Sequence, residues 1–158
     1  MPRDREVPGK EVKPVARILL IDDNTADVLL LEKALQAHDI SYELIRYLDG
    51  ENAMRALAQG HTAVPDVILV DLNLPRRDGF DVLSAVRKTP RLAGVPVGVL
   101  TSSNAAKDRN RAALIGVEKY ICKPPTLDEF INEVGRGVQE LLLMSAPGDA
   151  SAENSRLS

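Results

Sequence analysis

The chain has 158 residues, 44% of them apolar, with a formal net charge of −3, enough for one well-buried core without disulfides or structural metals and no basic footprint for nucleic acid or an anionic membrane surface. Its single Cys122 excludes an internal disulfide and, with no Cys/His cluster beside it, a zinc site. No apolar run approaches the roughly 20 residues that cross a bilayer, and the charged start from Met1 to Lys13 lacks a signal peptide's apolar stretch, so a protein of the reducing cytoplasm with protein partners is expected.

Residues 1–15, with Pro2, Pro8, Gly9 and Pro14 among mixed charges, offer little to bury and read as a flexible leader; one domain is expected over 16–144 and a small-residue, disordered polar tail over 145–158. From Ala16 onward short β-rich apolar runs alternate with longer helical patterns, the signal for βαβ units and a parallel sheet. A first strand at 17–21 leads to a helix capped by Asn24 and carrying Val28, Leu31 and Leu35. A second strand at 41–46 precedes an Ala-rich helix over 50–59 that Gly60 ends. The third strand, 67–70, is followed by a helix from Asp78 or Gly79 to about Lys88, with Val82, Leu83 and Val86 at helical spacing and Pro90 preventing continuation. Ile18 to Ile21 and Val67 to Val70 are apolar on both faces, as central parallel strands covered by helices must be.

A fourth strand at 95–100 leads into a helix over 104–115 whose apolar residues are mostly Ala, which predicts the least firmly packed helix. After a fifth strand at 119–122, the last helix starts near Leu127 and lines up Leu127, Phe130, Ile131, Val134, Val138, Leu141 and Leu142 before ending in the apolar 141–144. That end, with Phe130 and Val134, favours a homodimer contact through the fourth strand to fifth helix region. His38 and His61 lie toward helix ends and read as solvated, and Cys122 as a small buried filler. Arg76, Arg77, Arg109 and Arg111 read as a solvated or partner-facing surface.

In an open α/β sheet, ligands bind outside the carboxyl ends of the strands. The first strand ends in Asp22-Asp23, the third in Asp71, the fourth in Thr101 and the fifth in Lys123. With these strands as neighbours, three carboxylates, a hydroxyl and an ammonium converge on one edge. Clustered carboxylates repel, and a divalent cation together with Lys123 relieves the repulsion; all-oxygen ligands at a solvent-facing rim suit Mg²⁺. One carboxylate can then attack phosphorus, and Asp71, ending a central strand, is the candidate nucleophile. Lys123 and the metal supply the charge that such a transfer requires, and Thr101 a hydrogen bond to the acquired phosphoryl oxygen. Taken singly, each of these residues reads as a cap, a turn former or a solvated lysine. Their joint placement at strand ends is what points to a site.

Four segments resemble the receiver domains of two-component signalling: Leu19-Leu20-Ile21-Asp22-Asp23-Asn24, Val70-Asp71-Leu72-Asn73-Leu74-Pro75-Arg76-Arg77-Asp78-Gly79, Leu100-Thr101-Ser102 and Tyr120-Ile121-Cys122-Lys123-Pro124. The resemblance implies a flavodoxin-like doubly wound (βα)5 fold with strand order 2-1-3-4-5, an order for which a receiver is one of the standard examples. It implies phosphorylation of Asp71 by a sensor histidine kinase. It also implies Mg²⁺ held by Asp23 and Asp71 directly, by Asp22 partly through water and by the Asn73 backbone carbonyl. Thr101 and Tyr120 match the switch residues that follow the phosphoryl group, and the bond before Pro124 matches a cis peptide. The protein is expected to catalyse only its own phosphorylation and dephosphorylation. Arg77, Pro125 and the run Asp23-Asn24-Thr25-Ala26-Asp27 resemble the single-domain regulators that pair with bacterial phytochrome-type kinases.

Competing readings are weaker. A small aspartyl-phosphate phosphohydrolase normally has a second acid two residues after its nucleophile, where this chain has Asn73. A flavin or nucleotide binder needs a glycine-rich phosphate loop after the first strand, where Asp22-Asp23 repel phosphate instead. A receiver-like interaction module independent of phosphorylation is disfavoured by the complete set of site residues.

Overall fold

A computed structural model describes residues 14–60 and 63–157, with side chains through Ser145. The chain alternates β1 (Ala16–Ile21), α1 (Thr25–Ala37), β2 (Tyr42–Tyr47), α2 (Gly50–Gln59), β3 (Val67–Val70), α3 (Gly79–Lys88), β4 (Val97–Thr101), α4 (Ala106–Ile115), β5 (Lys119–Cys122) and α5 (Leu127–Leu157). The strands form one parallel sheet in the order β2-β1-β3-β4-β5, the 2-1-3-4-5 order that the resemblance implied. The leader expected over 1–15 lies outside the described residues apart from Pro14 and Val15, as does His61. Helix backbone runs to Leu157 through the segment expected as a disordered tail, and its side chains after Ser145 lie outside the described residues.

Side chains alternate across each strand, so the central strands feed two cores. Ile18, Leu20, Val67 and Leu69 pack under α1 and α5, while Leu19, Ile21, Ile68 and Val70 pack under α2 and α3. Local chemistry starts the helices: the Oδ1 atoms of Asn24, Asp49 and Asp78 accept from the N–H groups of Asp27 (3.2 Å), Asn52 (2.8 Å) and Phe80 (2.7 Å), satisfying first-turn donors that have no helical partner. The α4 helix begins after Ala105 with no side-chain cap and buries only Ala112, in keeping with its small apolar residues. Between α3 and β4 a short 3-10 turn at Pro90–Leu92 and Pro96 delay the fourth strand by two residues relative to its expected start.

Phe130 and Val134 are 2% and 0% exposed, packed beside Val28, Leu31 and Leu35 of α1. They therefore leave the dimer surface to which the sequence assigned them; among the described residues, the exposed large apolar side chains of α5 are Leu127, Leu143 and Met144. His38, expected to be solvated, sits at the end of α1 with Nε2 3.1 Å from the Ile131 carbonyl. A Cβ on Gly135 would fall 2.0 Å from its ring. Cys122 is only partly buried.

At the start of α3, a Cβ on Gly79 would lie 2.4 Å from the Asp71 carbonyl oxygen and 2.6 Å from the Leu72 Cα. These are backbone atoms of the loop that carries Asp71, so they cannot rotate away. Gly79→Ala, elsewhere in a helix a stabilising change, is expected to cost about 1–3 kcal/mol by overpacking. A urea midpoint equal to or above that of the parent protein would contradict this.

Candidate functional site

Parallel register brings the strand ends together. Ile21 pairs with Val70 and Val70 with Val99, so Asp22 and Asp71 leave adjacent strands side by side, and the Asp71 N–H donates to the Ile21 carbonyl at 2.9 Å. One strand further on, Thr101 pairs with Cys122, and its carbonyl accepts the Lys123 N–H at 2.7 Å. Asp22, Asp71 and Thr101 are buried, whereas Asp23 stands at the exposed rim.

Asp22, Asp23 and Asp71 each offer a carboxylate oxygen within 4.8 Å of the others. Lys123, its side chain 11% exposed, places Nζ 2.9 Å from Asp71 Oδ2 and 3.4 Å from Asp22 Oδ2. The remaining oxygens of the two buried acids point at backbone donors: Asp71 Oδ1 accepts from the Asn73 N–H at 3.0 Å and Asp22 Oδ1 from the Asn24 N–H at 2.8 Å. Arg46 Nε donates to the Asp22 carbonyl at 3.0 Å and fixes that end of β1. Thr101 Oγ1 accepts from the Ser103 N–H at 3.3 Å. Tyr120 lies at the same edge, its hydroxyl donating to the Ser103 carbonyl at 2.9 Å and its ring 4.6 Å beneath the Arg109 guanidinium.

Sequence reasoning missed Asp27, which it noted only within a run resembling one subgroup. Its Oδ2 lies 2.5 Å from Lys123 Nζ. Three carboxylates, those of Asp22, Asp27 and Asp71, thus gather around one ammonium, with Asp23 beside two of them, an excess of negative charge that suits a divalent cation with oxygen ligands.

Over residues 18–135 the sequence matches the family model for the response regulator receiver domain. The chain belongs to that family. It is 35% identical to response regulator Rcp1 of Synechocystis over 137 residues, covering 84% of this chain and 92% of Rcp1. Among solved structures, the phosphorylated cyanobacterial phytochrome response regulator RcpA superposes with a TM-score of 0.75 at 34% identity, over 84% of this receiver and 97% of that chain. The Mn²⁺-bound form of Rcp1 gives 0.72 at 35% identity, over 79% and 92%. Receivers of this family take their phosphoryl group from histidine kinases. Among the described residues no helix is long and apolar enough to cross a membrane.

Burial raises the Asp22 pKa above 3.8; the Asn24 N–H and Lys123 oppose the rise, and the Asp71 and Asp27 charges add to it. The folded receiver therefore holds this proton more tightly than the unfolded chain does. Between 3.8 and the raised value, stability contributed by Asp22 falls as pH increases, and the penalty persists at neutral pH. Asp22→Asn keeps Oδ1 as an acceptor and removes the charge. In a chelating buffer it is expected to unfold at a higher temperature than the parent at neutral pH, with the gap closing toward about pH 4. Melting curves that stay parallel across that range would show that Asp22 carries no such penalty.

Proposed function

We propose that this receiver accepts a phosphoryl group from a sensor histidine kinase on Asp71 in a Mg²⁺-dependent reaction, and that the modified site changes its protein-binding surface. The observation that carries this reading is the placement of the buried Asp71 carboxylate 2.9 Å from Lys123 Nζ, in a cluster where three carboxylate oxygens lie within 4.8 Å.

Asp22, Asp23 and Asp71 would hold the cation with the Asn73 carbonyl, and Mg²⁺ bound there would supply charge neutralisation to the transferring phosphoryl oxygens. An Asp71 oxygen forms the new O–P bond as the bond from phosphorus to the donor's leaving atom breaks, and the leaving group keeps that electron pair. The Asn73 N–H and Lys123 fix the carboxylate before attack, so little orientational freedom remains to be lost. Lys123 supplies positive charge to the incoming oxygens, and Thr101 donates a hydrogen bond from its hydroxyl to one of them. Movement of Thr101 acts on the Ser103 segment, to which Tyr120 is hydrogen-bonded, and so reaches the uncapped start of α4. Hydrolysis of the acyl phosphate by water returns the site to its resting state. The likeness to RcpA, a phytochrome response regulator, supports a phytochrome-type kinase as the donor.

The test is intact mass after incubation with acetyl phosphate, with Mg²⁺ or with chelator, followed by borohydride reduction and peptide mapping. A single phosphoryl gain that requires Mg²⁺ and maps to Asp71 is expected. No gain, or a gain mapped elsewhere, would overturn the reading.

A further inference from the structure

Asp27 has no part in the mechanism above, yet it is the nearest carboxylate to Lys123. Its Oδ2 lies 2.5 Å from Nζ, against 2.9 Å for Asp71 and 3.4 Å for Asp22. Among the described residues it is also the one acidic partner of the ammonium outside the cluster formed by Asp22, Asp23 and Asp71. We infer that Asp27 is a positioning residue: it gives Lys123 an anchor on the α1 side, so that Asp22 and Asp71 can turn their oxygens to a divalent cation without stranding a buried ammonium. The inference rests on the proposed phosphoryl-transfer reading and adds a residue to it.

The pair is rigid at both roots. The Asp27 N–H donates to the Asn24 cap, and the Lys123 N–H donates to the Thr101 carbonyl. Asp27 lies one helical turn beyond Asp23, and side chains in a helix lean toward its N-terminus, here toward the carboxyl end of β1. The side chains of Asp27 and Lys123 are 16% and 11% exposed, so water offers poor substitutes for lost partners. A divalent cation and an ammonium a few ångströms apart repel. The three donors of the ammonium now go to Asp27, Asp71 and Asp22. Once a cation claims oxygens of Asp22 and Asp71, Asp27 is the partner that stays with Lys123. Without it, the ammonium holds more firmly to the two acids the cation needs.

The probe is Mn²⁺, titrated into the full chain at neutral pH with free ion followed by electron paramagnetic resonance. Asp27→Asn, neutral and of similar shape, is expected to raise the Mn²⁺ Kd at least about fivefold, the lower range of a typical coupling between sites. Lys123→Met is expected to lower it. In the Lys123→Met background, adding Asp27→Asn should change Kd by less than about twofold, because the coupled partner is gone. Phosphoryl gain by Asp27→Asn should be slow at limiting Mg²⁺ and recover at saturating Mg²⁺, which a general structural defect would not do. Asp27→Ser repeats the measurement should the asparagine variant fail to fold.

Unchanged Mn²⁺ affinity in Asp27→Asn, with the parent binding normally, would overturn the inference while leaving the phosphoryl-transfer reading intact. So would an undiminished loss in the Lys123→Met background, which would mean that Asp27 acts on the cation by its own charge. A parent protein that binds no Mn²⁺ would instead sink the metal reading, and this inference with it.

Discussion

Asp71→Asn is expected to abolish phosphoryl gain from acetyl phosphate while leaving the receiver folded. Asp71 is 5% exposed, and its two oxygens have separate duties: Oδ1 takes the Asn73 N–H and Oδ2 faces Lys123. In the asparagine variant Oδ1 still accepts from Asn73, so the loop keeps its turn. The second oxygen becomes an amide nitrogen, whose lone pair is delocalised into the carbonyl and so does not attack phosphorus, and which sets a donor against the Lys123 ammonium. Asp71→Glu keeps the charge but adds a methylene in a buried site; a misplacement of about 1 Å costs on the order of 10²-fold in rate, so it should also fail on the timescale of the parent. Intact mass with and without Mg²⁺ reads both variants, and circular dichroism confirms their fold. A phosphoryl group found on Asp71→Asn would move the acceptor to another residue, with Asp22 and Asp23 the first to examine.

Much of this site was legible because the strands that carry it are the most buried. Val67 to Val70 are wholly apolar, so a covered central strand and the Asp71 that follows it were fixed together. Nothing in the sequence set the neighbours of that strand; the order 2-1-3-4-5 came from the resemblance and is present in the sheet. The edge strand β2 was harder to place. Its side chains are mostly half-buried, the alternation is weak, and the observed strand runs one residue later than expected.

Asp27 was illegible for a different reason. An acid in the first turn of a helix already has an explanation in the helix dipole, and only the fold shows that this turn faces Lys123. His38 carried the opposite error. A histidine at a helix end reads as solvated until α5 is seen to cross it, with Gly135 leaving room for the ring. The place of Phe130 and Val134 at the surface of α5 was overread. Helical spacing correctly identified the buried stripe of α5, but it could not say that Phe130 and Val134 were already spent on α1.

Lys123→Met tests the electrostatics of the whole cluster. Burial by itself would lower the pKa of this lysine, but the hydrogen bond to Asp27, the charge of Asp22 and the hydrogen bond and charge of Asp71 outweigh burial and raise it. A lysine whose folded value is raised contributes stability in full below its ordinary value of 10.5, and loses it only as pH climbs through the folded value. The contribution is therefore flat across the neutral range. Methionine fills similar volume without charge and leaves Asp22, Asp27 and Asp71 facing one another in a site where all three side chains are at least four-fifths covered. Removing one partner of a buried ion pair costs about 3–5 kcal/mol, and that loss is expected in chelating buffer, read as a lower urea midpoint at unchanged slope. Mg²⁺ should restore more stability to the variant than to the parent, because it no longer competes with an ammonium; at a hundredfold excess over Kd the gain is about 2.7 kcal/mol. A loss below about 1 kcal/mol, the range of an exposed pair, would mean that Lys123 behaves as a solvated lysine and that the acids are held apart by something other than its charge.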